Sequence, residues 1–78
     1  MQKSKNETPQ FVECINNTEY PVSLEIHKIY RVVPDQDAAV VGDIRVVDES
    51  GEDYLYPASY FIPIKVPHVV EESLLHAG

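Results

Sequence analysis

Between Asp43 and Val66 strand and turn signals alternate so closely that few folds can accommodate the chain. Ile44-Arg45-Val46-Val47 is a β-rich run, Asp48-Glu49-Ser50-Gly51-Glu52-Asp53 is a polar turn holding one glycine, and Tyr54-Leu55-Tyr56 resumes the strand pattern. A hairpin follows. Gly51 is expected in the left-handed conformation that closes a type I turn plus bulge, which a Cβ makes costly, so it sets the register. Pro57-Ala58-Ser59-Tyr60-Phe61 then suits a short 3₁₀ turn before a last strand, Ile62 to Val66. Along that strand Ile62, Ile64 and Val66 share one face while Pro63, Lys65 and Pro67 share the other. The prolines lack ladder donors, so one edge of the strand is expected to stay unpaired.

Upstream, Phe11 to Ile15 reads as a first strand, with Cys14 as a small core residue. Asn16-Asn17-Thr18 and Tyr20-Pro21 supply turn chemistry for a loop of about ten residues. Leu24 to Val33 is expected to form a second strand. In the connector that follows, Asp35 is placed to cap one or two helical turns and Gly42 to end them. Residues 1–10 are expected to form a flexible leader and 11–67 the folded body. Residues 68–78 are expected to be a flexible or weakly helical tail, because so short a helix is marginal alone in water. Strand alternation puts Leu24, Ile26, Ile29, Val32, Ile44, Val46, Leu55, Phe61, Ile62 and Ile64 in the core.

The 78 residues allow one domain, which buries only about 60% of its unfolded surface. The formal charge of −7 has the wrong sign for counterion release from a nucleic-acid backbone, so nucleic acid is not an expected partner. One cysteine excludes an internal disulfide and fits a reducing cytoplasm. No apolar run approaches the roughly 20 residues of a membrane span, and the first nine residues lack the apolar stretch of a signal peptide. A cytoplasmic protein without membrane contact is expected.

Tyr56-Pro57-Ala58-Ser59-Tyr60-Phe61 is similar to the aromatic-Pro-Ser-Asn-Tyr-Val stretch that precedes the last strand of SH3 domains. Cys14 to Asn17, Leu24 to Tyr30 and Val47 to Glu52 resemble small uncharacterised SH3-like proteins of bacteria and phages, whose pattern usually has glycine where this chain has His27. The resemblance covers about residues 11 to 66. It implies an all-β fold: an SH3-like five-stranded small barrel with a 3₁₀ turn before the last strand. It also implies a groove between the first loop and the loop after the second strand, where SH3 domains bind proline-rich peptides. The tryptophan and the Ala-Leu-Tyr-Asp-Tyr stretch of that groove are absent here, which argues against strict Pro-x-x-Pro recognition. Tyr60 and Pro57 carry over by motif position, and both could equally serve as core pegs of the barrel.

The expected binding surface comprises Glu19, Tyr20, Glu25 and Tyr60, with Asp35 and Asp37 on the opposite rim. Tyrosines beside carboxylates suit a basic, partly apolar peptide. Asp48, Glu49, Glu52 and Asp53 crowd one turn but lack the ligand spacing of a calcium loop. His27, His68 and His76 lack paired-ligand spacing, and the serines lack a nucleophile-elbow pattern. A non-enzymatic adaptor or regulatory protein is therefore expected, with no catalytic residue, metal or cofactor. The alternative is a small-molecule or metal-responsive effector using the acidic hairpin tip.

Overall fold

Five short strands and little helix make up the chain in a computed structural model that describes residues 10–76. Of the leader only Gln10 falls among them, and residues 77 and 78 of the tail lie outside. β1 (Phe11–Cys14) is central to one antiparallel sheet, flanked by β2 (Ile29–Arg31) and β5 (Phe61–Ile64). β3 (Asp43–Val47) and β4 (Asp53–Pro57) form the second antiparallel sheet, with Ile44 opposite Tyr56 and Val46 opposite Tyr54. One bridge, Val32 opposite Val46, links the sheets, and among the described residues they do not close into a barrel. α1 (Gln36–Val40) separates β2 from β3, the 3₁₀ turn Ala58–Tyr60 leads into β5, and α2 (His68–His76) follows it.

Local chemistry explains where these elements begin and end. Asp35 accepts the Ala38 amide at 3.0 Å and so caps α1, while Gly42 ends it at φ +80° with its amide on Ala39 O at 3.1 Å. Gly51 takes φ +85°, donates to Asp48 O at 3.0 Å, and leaves the Asp48 amide to reach Glu52 O at 3.0 Å. Those bonds are the type I turn and bulge expected of the hairpin.

The second strand is shorter than the expected Leu24 to Val33. Leu24 and Ser23 donate to Tyr20 O, and Lys28 donates to Glu25 O across a turn in which His27 sits at φ +70°. Those local bonds occupy the groups a ladder would need.

β1 alternates its partners: the Cys14 amide donates to Lys28 O on the β2 side, and the Ile15 amide to Tyr60 O on the β5 side. Val12 and Pro63 therefore face each other as a non-hydrogen-bonded pair. The nitrogen of Pro63 points to the outer edge of β5, where a missing donor costs nothing within the sheet.

The core comprises Val12, Cys14, Leu24, Tyr30, Val46, Tyr56, Tyr60 and Phe61, with Val32 and Ile44 against it. Leu24, Val46 and Phe61 are buried as expected, but Ile26, Leu55 and Ile62 are 37%, 43% and 42% exposed. In β4 the ring of Tyr56 takes the inner face, which turns Leu55 outward; Phe61 does the same to Ile62 in β5. The inner face is aromatic because each buried phenol finds a polar partner for its hydroxyl. Tyr30 and Tyr56 both pack edge-on against Phe61, at 6.4 and 6.3 Å between centroids.

α2 leaves Val69 and Val70 exposed and half-buries Glu71, Leu74 and Leu75. No helix among the described residues is long and apolar enough to cross a membrane.

Candidate functional site

The first loop, between β1 and β2, folds on its own polar side chains. Thr18 donates to Asn16 Oδ1 from its amide at 2.9 Å, an Asx turn, and Asn17 Nδ2 reaches Leu24 O at 2.9 Å across the loop. Leu24, 1% exposed, anchors it in the core. Pinned in this way, the loop lifts Tyr20, Pro21 and Val22 to the surface, Val22 at 90% exposure.

Tyr20 stacks edge-on against Tyr56 at 4.9 Å and against Tyr60 at 6.1 Å. The Tyr60 hydroxyl donates to Glu19 Oε1 at 3.1 Å, so the 3₁₀ turn and the loop meet through one aromatic contact and one hydrogen bond. Burial and the acceptor Glu19 push the Tyr60 phenol above its ordinary pKa. At its other end the turn is tied to α1, because the Ala58 amide donates to Gly42 O at 3.0 Å.

Of the expected site residues, Glu19, Tyr20 and Tyr60 are brought together. Glu25 lies exposed further along the same loop; its backbone amide donates to the Tyr30 hydroxyl at 2.8 Å. Asp37 is exposed on the first turn of α1. Neither the Glu25 nor the Asp37 carboxylate has a side-chain partner among the described residues. Asp35 is committed elsewhere: besides capping α1 it accepts Arg45 Nε at 2.9 Å. The Ala38 amide, then Arg45, hold its carboxyl below the usual range.

Four residues outside the expected peptide surface hold it in place: Tyr30 and Tyr56, and Asp48 and Glu49, which the sequence marks only as part of the acidic hairpin tip. Asp48 is only 6% exposed and accepts from the Tyr56 hydroxyl, the Ser50 hydroxyl and the Ser50 amide. Burial would raise its pKa, but those hydrogen bonds outweigh burial and hold it below the ordinary carboxylate value. Burial, followed by the acceptor Asp48, pushes Tyr56 up to about 12. Glu49 accepts from the Tyr30 hydroxyl and pairs with Lys28 Nζ at 2.8 Å. Lys28, then Tyr30, lower its pKa, while burial and then Glu49 raise that of Tyr30. The Asp-x-Ser spacing signals the Asx turn at the hairpin tip. Nothing local signals the Tyr30 to Glu49 bond, which spans 19 residues.

Two apolar clefts lie elsewhere. The larger, about 640 Å³, runs between β1, β5 and α2 and is lined by Phe11, Val12, Ile64, Val66 and Glu71 among others. The smaller, about 420 Å³, lies against α1 and shares Gln10, Val32 and Ile44 with the first. Asp35 alone of the expected site residues lines either. Among the described residues no three His, Cys, Asp or Glu side chains gather where they could hold a metal ion. Compared with protein-family models, with curated proteins and with solved structures, the chain matches none.

Proposed function

We propose that this chain is a non-enzymatic adaptor or regulatory protein with an SH3-like arrangement of strands, which binds a basic, partly apolar peptide segment of another protein. The contact of Tyr20 with Tyr60, with Glu19 bonded to the Tyr60 hydroxyl, carries the reading. It gives one exposed ring, Tyr20, fixed against the buried Tyr60, with carboxylates on the loop beside it, and α1 with Asp37 flanks the other end of the 3₁₀ turn. Aromatic rings supply contact area at low entropic cost, and unpaired rim carboxylates steer a cationic partner. The strand order supports the SH3-like reading: β5, β1 and β2 are neighbours, and the Val32 to Val46 bridge continues the series to β3 and β4.

The test uses synthetic peptides in which arginine alternates with leucine and proline, titrated into the full chain and followed by NMR. Shifts concentrated at Glu19, Tyr20, Val22 and Ser59 are expected. Glu25→Lys with Asp37→Lys removes two carboxylates that hold nothing in place, so the fold should survive while association slows and loses most of its salt dependence. Equal on-rates for both forms at low salt would reject the acidic rim. Shifts at Asp48 to Asp53 on adding calcium or magnesium, with none from peptide, would favour an ion-responsive hairpin tip instead.

A further inference from the structure

The hairpin tip and the first loop are distant in sequence and joined through three separate links. The Glu49 amide donates to Ser23 O at 3.0 Å. The Glu49 carboxylate accepts the Tyr30 hydroxyl, whose oxygen in turn accepts the Glu25 amide at 2.8 Å. Asp48 holds the Tyr56 hydroxyl, and the Tyr56 ring is the one against which Tyr20 stacks at 4.9 Å. Two consecutive carboxylates, each acting through one tyrosine, thus reach the two parts of the loop that bear Tyr20 and Glu25.

We propose that Asp48 and Glu49 form a latch that sets the conformation of the first loop and thereby the affinity of the Tyr20 surface; the functional half of this proposal rests on the peptide-binding reading above. They act as positioning residues, since each carboxylate reaches the loop through a tyrosine hydroxyl, Asp48 through Tyr56 and Glu49 through Tyr30. A loop of this length with an exposed tip is entropically free unless its base is fixed, and order lost from the loop must be regained on binding. Affinity at Tyr20 and integrity of the hairpin latch are therefore coupled, and a ligand that needs the ordered loop tightens the latch in return.

Amide hydrogen exchange on the full chain tests the latch without any partner. Tyr30→Phe and Tyr56→Phe keep both rings in the core and delete one hydroxyl each. In Tyr30→Phe, which removes both the bond to Glu49 and the one from the Glu25 amide, the amides of Ser23, Leu24 and Glu49 should exchange faster, on the order of three- to tenfold for each hydrogen bond lost, while the β3 and β4 ladder amides keep their rates. Glu49→Gln, which keeps an acceptor for Tyr30, should show a smaller change. Acceleration of all amides alike would mean ordinary loss of stability and overturn the latch, as would unchanged rates at Ser23 and Leu24.

The peptides described above test the second half. Weaker binding by Tyr30→Phe, in proportion to the loop's faster exchange, is expected. A loosened loop with unchanged peptide affinity would overturn control of the surface by the latch. If wild type binds none of the peptides, the functional reading fails, and the exchange data alone decide whether the latch holds the loop.

Discussion

The two ends of this molecule are held together by different means. At the hairpin end a long loop is tied down by buried phenols and carboxylates, with Asp48, Tyr30 and Tyr56 all nearly inaccessible and all hydrogen-bonded. At the other end β5 and α2 border an apolar cleft of about 640 Å³, and the imidazole of His68 contacts Glu71 and Glu72 within its own helix. A small chain without tryptophan or disulfide thus orders a loop of which Leu24 alone among the apolar side chains is buried in the core. It uses directional bonds where shape alone would leave the backbone free, because an unpaired buried donor or acceptor is costly and so enforces one geometry.

The largest expected effect separates the two ends directly. Leu24→Ala, which empties the anchor of the first loop, should lower stability by about 3 kcal/mol. Val69→Ser, on the exposed side of α2, should change it by less than about 0.5 kcal/mol. Urea midpoints would check both. Similar losses for the two variants would erase the contrast between the ends.

The polar end should also answer to pH in a way the apolar end does not. Asp48 and Glu49 have ordinary pKa values of 3.8 and 4.5 and are lowered in the folded chain, so the unfolded chain takes up these protons first on acidification. Their stabilisation is complete above those ordinary values and is lost as pH falls through the lower folded ones. Tyr56, ordinarily near 10 and raised to about 12, works in the opposite sense: its contribution is complete below pH 10 and is lost as pH rises through about 12. Stability measured by urea from pH 2 to 12 should fall at both extremes. In Tyr56→Phe the alkaline fall should shrink, and an alkaline limb identical to wild type would assign the effect to other groups.

The smallest effects concern two left-handed positions flanking the latch. Gly51→Val should cost more than about 1 kcal/mol; since a Cβ there meets nothing within 4 Å, the loss is one of backbone conformation. His27 adopts φ +70° although it has a Cβ, and among the described residues its exposed imidazole has one polar partner, Glu13 at 3.0 Å. His27→Gly should therefore stabilise the chain by about 0.5 to 1 kcal/mol, the relief of strain less the small worth of that contact. A lower melting temperature for His27→Gly would show that the imidazole contributes more than its exposure suggests.

Much of the local structure was legible in the residues themselves. Asp35 and Gly42 bound α1, Gly51 closes the hairpin, Pro63 marks the outer edge of β5, and each acts through its own backbone or the next few residues. Of the candidate surface, Tyr60 was legible through its motif and Tyr20 through the turn that exposes it. The second strand is shorter than its β-rich run implies, because such a run says nothing of the turn bonds from Ser23, Leu24 and Lys28 that compete with a ladder.

The order of strands and turns, the capped helix, the register of the hairpin and the acidic charge follow from φ preferences, capping groups and composition, and so can be read residue by residue. Which of two alternating faces turns inward depends on the packing of one sheet on the other, and that packing places Tyr56 inside and Leu55 outside. The tertiary structure alone gave Asp48 and Glu49 their partners. Alternation states that two faces differ without saying which meets the other sheet, and a hydrogen bond between Tyr30 and Glu49 exists only once 19 residues of chain have been folded back to bring them together.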